Sequence, residues 1–124
     1  MKVIVFGGAG FLGSNVADAL TDAGYKVVIF DCKETSFKRP EQEMIVGDIL
    51  DEKIVKKAVK DCNIVYNFSG IADIDKASKC PLESVKTNIL GNSIIIEACR
   101  KADISRFVYA SSLYVYSKAG SFYR

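Results

Sequence analysis

The sequence predicts an α/β chain: a doubly wound parallel sheet in three layers, with strand order 3-2-1-4-5. Three observations predict it. The apolar runs Val3-Ile4-Val5-Phe6 and Val27-Val28-Ile29-Phe30 have no polar face, as strands covered on both sides require. Such runs alternate along the chain with amphipathic helical stretches, so consecutive strands need crossovers, and right-handed crossovers generate this order. The first run also breaks into Gly7-Gly8-Ala9-Gly10-Phe11-Leu12-Gly13, a glycine-rich strand-to-helix turn.

The elements follow in order. Strand one is Lys2–Phe6, and the first helix covers residues 10–22, with Leu12, Val16, Ala19 and Leu20 on one face and Gly24 as its stop. Strand two is residues 26–30. Residues 32–42 are polar and contain Pro40, so they read as a loop rather than a crossover helix. Strand three is Glu43–Val46. Asp51 can cap a second helix whose inner face is Ile54, Val55, Ala58 and Val59, leaving Lys53, Lys56, Lys57 and Lys60 in solvent. Strand four is residues 64–68. Pro81 suits the first turn of a long third helix over residues 81–102, and strand five is residues 107–110.

Composition bounds the function. With 124 residues, 49% of them apolar, the chain has room for one domain with a modest core. A net charge of +2 with no basic stripe gives no reason to expect nucleic acid. No apolar run approaches membrane-spanning length, and the first strand leaves no space for a signal peptide. Cys32, Cys62, Cys80 and Cys99 show no C-x-x-C spacing and read as reduced thiols of a cytoplasmic protein. The absence of histidine excludes Ser-His-Asp chemistry, Cys-His chemistry and the usual zinc sites from these residues, and no metal site is expected. Acid–base work would fall to Tyr, Lys or carboxylates.

The glycine turn points to a ligand. A strand that ends in glycines and re-emerges as a helix aims orphan N–H groups and a helix dipole at one spot, which suits a pyrophosphate. Gly7 is expected to allow the turn, Gly10 to let backbone approach the phosphates, and Gly13 to let the helix pack against the sheet. Asp31 follows strand two, eighteen residues after Gly13. A carboxylate there accepts hydrogen bonds from the adenine-ribose hydroxyls and repels a 2′-phosphate, which favours NAD over NADP. Lys33, Lys38 and Arg39 lie just downstream and could serve a 2′-phosphate instead. Asp48 after strand three, Asn67-Phe68-Ser69-Gly70 at the end of strand four and Ser111-Ser112 after strand five fall at the same edge of the sheet. Ligands of such sheets sit there, near the order reversal between strands one and four.

Taken together these residues resemble the extended short-chain dehydrogenase/reductases, and most of all the NAD-dependent sugar-nucleotide epimerase and dehydratase group of UDP-glucose 4-epimerase type. Gly7 to Gly13 match that family's G-x-x-G-x-x-G loop, and Asp31, with Cys32 beside it, matches its ribose-binding acid. Gly47-Asp48-Ile49 resembles the adenine-contacting segment. Phe68, Ser69 and Gly70 fall where the family lays backbone along the cofactor. Thr87-Asn88-Ile89-Leu90-Gly91 resembles the helix carrying its structural Asn, at Asn88. Ser111-Ser112-Leu113-Tyr114-Val115-Tyr116 resembles the S-S-x-x-V-Y motif, which places the active-site hydroxyl on Ser112. The resemblance thus implies cofactor contacts at Gly7, Gly10, Phe11, Leu12, Gly13, Asp31, Cys32, Asp48, Ile49, Phe68, Ser69, Gly70 and Asn88.

The same resemblance implies a Tyr-x-x-x-Lys pair. Tyr123 lies eleven residues after Ser112 and is the expected acid–base, with Tyr116 the alternative; the lysine would fall three residues beyond Arg124. A cation beside a phenol favours phenolate. Leu113 and Tyr114 stand where the dehydratase branch places an acid, so epimerisation through a transient keto-sugar fits better than loss of water. The implied fold is Rossmann-type, cut short before its last strands and before a substrate domain. The implied partners are a nucleotide-sugar and a second copy of the chain, through the helix bearing Ile94-Ile95-Ile96. The 124 residues are then expected to bind NAD with little turnover. Two alternatives stand beside this: an NADP-dependent ketone reductase of the same superfamily, and a non-catalytic NAD-responsive module.

Overall fold

A computed structural model describes residues 1–112. Five parallel strands, β1 (Lys2–Phe6), β2 (Lys26–Asp31), β3 (Glu43–Val46), β4 (Ile64–Asn67) and β5 (Arg106–Tyr109), form one sheet in the order β3-β2-β1-β4-β5. Register is continuous across its centre: Phe6 pairs with Phe30 on one side and with Asn67 on the other. The expected order is the observed one. Strand ends shift by one residue: β2 includes Asp31, β4 stops at Asn67 and β5 starts at Arg106.

The central strands are buried on both faces because helices cover both. One layer is α1 (Phe11–Asp22), which packs Ala17 and Leu20 against Val5, Val27 and Ile29. The other layer is α2 (Glu52–Val59) with α5 (Asn92–Lys101), and Val55, Val59, Ile95, Ala98 and Cys99 close over Ile4, Phe6, Val28, Phe30 and Val65. Phe6 and Phe30, adjacent on β1 and β2, hold their rings 4.7 Å apart at the centre of that layer. The period-2 alternation of a strand therefore sorts each apolar run into two cores.

Local signals behave as their chemistry requires. Gly10 is the residue before α1, and the helix ends where Tyr25 N–H bonds the Leu20 carbonyl and Gly24 N–H that of Thr21. Asp51 caps α2, its Oδ1 accepting the Lys53 and Ile54 N–H groups at 2.9 and 3.2 Å. Lys53, Lys56, Lys57 and Lys60 are all exposed. The polar loop 32–42 is tied down by Arg39, whose guanidinium bridges Asp18 and Asp22 on α1, and by buried Gln42, whose amide reaches Asp18 and Thr21.

The long third helix is more elaborate than the sequence suggests. A short helix α3 (Ile74–Lys79) precedes it, and the stretch itself runs as α4 (Pro81–Val85), a π-helical turn (Lys86–Gly91) and α5. Gly91 in that turn is buried against the Ile49 side chain. The triplet Ile94-Ile95-Ile96 divides as three consecutive helical residues must. Ile95 is fully buried, Ile94 packs at the core margin, and Ile96 is 46% exposed. No helix among the described residues is long and apolar enough to cross a membrane.

Candidate cofactor crevice

The turns after β1, β2, β3 and β4 converge on a crevice of about 460 Å³ at the carboxyl edge of the sheet. Gly7, Gly10, Asp31, Cys32, Asp48, Ile49, Phe68, Ser69 and Gly70 all line it. That volume lies within the range of small-molecule and cofactor sites.

The glycine turn is built by close approach. Gly7 has φ +71°, and a Cβ on it would stand 2.6 Å from the Phe68–Ser69 peptide. Only glycine lets β1's exit pass so near β4's exit. Gly13 brings the first turn of α1 hard against the glycine turn itself. A Cβ there would run into the Gly7 carbonyl oxygen and come within 2.7 Å of Gly8 Cα. The nearest backbone to Gly13 is thus the loop that joins β1 to α1.

Backbone donors sort into used and unused. The N–H groups of Gly7 and Gly8 bond the Phe30 carbonyl, that of Ala9 bonds Asp31, and that of Gly10 bonds the Gly7 carbonyl. The helical ladder begins with Ser14 N–H to the Gly10 carbonyl. Phe11, Leu12 and Gly13 N–H therefore stand ahead of the ladder with no partner among the described residues, at the positive end of α1. The Phe11 and Leu12 side chains are exposed. No acidic side chain occupies the first turn of α1 to compete with an anion.

At the end of β2, Asp31 Oδ2 accepts the Ala9 N–H at 3.0 Å and Oδ1 the Lys33 N–H at 3.3 Å, and the carboxylate retains acceptor capacity for a further donor. Burial, reinforced by this neighbouring carboxylate, pushes the Cys32 thiol above its ordinary value, so it lines the wall as a neutral thiol. Asp48 accepts the Leu50 N–H at 2.9 Å, and Ile49 turns its side chain into the core. Of the three downstream cations, Arg39 is committed to Asp18 and Asp22, and Lys38 Nζ bonds the Arg39 and Gln42 carbonyls. Lys33 alone of the three lines the crevice.

The β4 exit is held by amides that spacing does not reveal. Asn67, 1% exposed, donates to Asn92 Oδ1 at 2.8 Å and accepts the Ser69 N–H at 3.0 Å. Asn88 works as a latch: its Oδ1 accepts the Ile71 N–H at 2.7 Å and its Nδ2 donates to the Ile71 carbonyl at 3.0 Å. Asn88 thus positions the loop behind Gly70. The crevice is also lined by Lys76 on α3, Glu83 on α4 and Thr87 on the π-helical turn, which the sequence reading missed. Thr87 adjoins Asn88 and Glu83 lies in the first turn of the helix predicted from Pro81, so both had a signal; Lys76 had none. Ser112 is exposed, three residues beyond the end of β5, and Tyr123, Tyr114, Tyr116 and Leu113 lie outside the described residues.

A doubly wound parallel sheet whose glycine turn into the first helix shares a crevice with a β2-terminal carboxylate defines a dinucleotide-binding α/β protein. The model of the NAD dependent epimerase/dehydratase family matches residues 3–122, and the chain belongs to that family. UDP-glucose 4-epimerase of Haemophilus influenzae is 32% identical over 128 residues, covering 94% of this chain and 38% of that protein. Among solved structures, UDP-glucose 4-epimerase from Brucella ovis in complex with NAD superposes with a TM-score of 0.89 at 27% identity, over 98% of this chain and 38% of that one. An epimerase of Methanothermobacter thermautotrophicus gives 0.90 at 28% identity, over 99% and 39%. The chain spans well under half the length of each of these relatives.

Proposed function

We propose that residues 1–124 are the NAD-binding part of a nucleotide-sugar epimerase. The observation that carries this reading is that Gly7 and Gly10, of the turn that leads into the unpartnered Phe11, Leu12 and Gly13 amides, line one crevice with the Asp31 carboxylate. The amides and helix dipole suit a diphosphate, and the carboxylate suits ribose hydroxyls. Asp48 and Ile49 would border the adenine, and the Phe68-Ser69-Gly70 backbone would follow the ribose and phosphates, with Asn88 holding that loop in place.

Bound NAD supplies a hydride acceptor that also returns the hydride. The chain's own residues supply the proton chemistry. Ser112 hydrogen-bonds the reacting sugar oxygen, and Tyr123 removes and restores its proton. A tyrosinate is needed because a neutral phenol is a poor base near neutral pH. These residues span under half the length of the relatives above, and on this reading they alone bind the cofactor and turn over UDP-glucose and UDP-galactose poorly. Calorimetric titration with NAD tests the first statement, and absence of a 1:1 complex refutes it. Rapid interconversion of the two UDP-sugars by the purified 124-residue chain refutes the second.

One observation favours the NADP reading: Lys33 lines the crevice beside Asp31 with no side-chain partner among the described residues. Tighter binding of NADP than NAD would establish it. Self-association through the outward apolar residues Leu82, Val85 and Ile89 of the α4 and π-helical stretch is part of the proposal. Light scattering that shows only monomer at high concentration overturns that part.

A further inference from the structure

We infer that Asp31 is a positioning residue for the phosphate-binding turn, in addition to its proposed part in holding ribose. The inference rests on the cofactor reading above, but its structural half stands without any ligand. Three successive amides of the turn are fastened to the end of β2. Gly7 N–H reaches the Phe30 carbonyl at 2.9 Å, Gly8 N–H the same carbonyl at 3.3 Å, and Ala9 N–H the Asp31 Oδ2 at 3.0 Å. The first two bonds are main chain to main chain and survive any substitution. The third depends on one side chain, 22 residues away in sequence, and it is the last bond that ties the turn to β2; only the bond within the turn from Gly10 N–H to the Gly7 carbonyl, 3.1 Å, stands between it and α1.

What lies just past that fastening is the set of unpaired donors, beginning at Phe11. With Asp31 removed, the partly buried Ala9 N–H loses its acceptor. Its peptide can then rotate, and the Gly10 linkage to the first helical amides rotates with it. Glycine at positions 8 and 10 gives that segment little resistance of its own. The carboxylate therefore couples two subsites: the acid that reads the ribose also sets the aim of the groups that read the phosphates. A substitution at Asp31 meant to admit a 2′-phosphate carries a penalty on the diphosphate as well.

The test compares Asp31→Ala and Asp31→Asn with the parent chain. Amide exchange of the ligand-free proteins is followed at Ala9, with Val5 and Ile29 as reporters of the intact sheet. Asp31→Ala should speed exchange at Ala9 by about tenfold or more while Val5 and Ile29 stay protected. Asp31→Asn, which keeps an acceptor oxygen, should restore protection at Ala9. Nicotinamide mononucleotide, which has a phosphate but no adenosine, is the second probe. Its affinity should fall severalfold in Asp31→Ala and recover in Asp31→Asn, although the ribose that Asp31 is proposed to hold is missing from it. Unchanged exchange at Ala9 overturns the inference, and so does altered exchange with unchanged mononucleotide affinity. Failure of the parent chain to bind NAD or the mononucleotide refutes the cofactor reading and the phosphate half of the inference; Ala9 exchange then decides the brace alone.

Discussion

Gly13→Ala sets two well-measured effects against each other. Helix propensity alone says that alanine inside a helix stabilises by about 1 kcal/mol over glycine, and by less in the first turn. Gly13 is a buried residue of α1, so a reader of helices would expect a gain. The structure reverses the sign. The new methyl would collide with the Gly7 carbonyl oxygen and stand 2.7 Å from Gly8 Cα and 2.8 Å from Gly7 C. Carbon atoms pack comfortably at about 3.5–4.0 Å. All three obstacles are backbone, so no rotamer change relieves them. Overpacking of this kind costs about 1–3 kcal/mol, and a three-atom backbone collision belongs at the upper end. The net effect is a loss of about 2 kcal/mol, read as a fall of about 1 M in the urea midpoint at a constant slope of about 2 kcal/mol/M. The displaced turn should also weaken NAD binding by at least about tenfold, since the amides it carries are aimed by its geometry. A midpoint that rises, or NAD affinity that is unaltered, refutes the packing argument.

Three other outcomes follow from particular contacts. Asp51→Ala removes two cap bonds from α2 and should cost about 1 kcal/mol by urea unfolding, while Asp51→Asn or Asp51→Ser recovers most of it. Asn88→Ala breaks both bonds to Ile71 and should lower NAD affinity severalfold with about 1 kcal/mol lost in stability; Asn88→Asp, which keeps only the acceptor, should fall between. Glu97 lies on α5 beside Arg100 and Lys101, whose hydrogen bonds hold its carboxyl at about 2. Because the folded value is depressed, its contribution is complete above the unfolded value of 4.5 and disappears as pH falls towards 2. Glu97→Gln should therefore flatten the acid limb of a melting-temperature profile inside that window and leave the profile near neutral pH parallel to the parent's.

How legible all this was in the sequence depends on the range of each interaction. Strand order was legible because uninterrupted apolar runs such as Val27-Val28-Ile29-Phe30 admit only a sheet covered on both faces. The glycine turn and Asp31 were legible because their geometry is local: a turn, a helix start and a strand end at a fixed spacing. Helix α3 was not, since it buries no residue and so carries no apolar periodicity; a side-chain cap from Asp73 to Lys76 N–H is what starts it. The Asn67–Asn92 bond joins residues 25 apart, and nothing in either neighbourhood announces its partner. That Lys38 and Arg39, unlike Lys33, have other partners was hidden for the same reason, because the acids and carbonyls that claim them come from α1 and from the fold of loop 32–42. Of the proposed active-site hydroxyls, Ser112 has its place at the sheet's carboxyl edge, whereas Tyr123 rests on motif alone.

The π-helical turn at Lys86–Gly91 acts on its helix as a phase shifter. Each residue of an α-helix advances the side chain by about 100°, so one extra residue in a turn rotates everything after it by that angle relative to everything before. Leu82 and Val85 face outward ahead of the shift and Ile89 faces outward within it, whereas Ile95, Ala98 and Cys99 face the sheet behind it. One rod thus presents apolar residues in two directions, with Asn88 and Thr87 at the joint where the direction changes. Deleting a single residue at Ile89 or Leu90 would restore a uniform pitch and force a choice: keep the core contacts of α5, or keep the latch on Ile71. Substitution scanning along this helix should find many tolerant positions, whereas deletion scanning should find none that spares both.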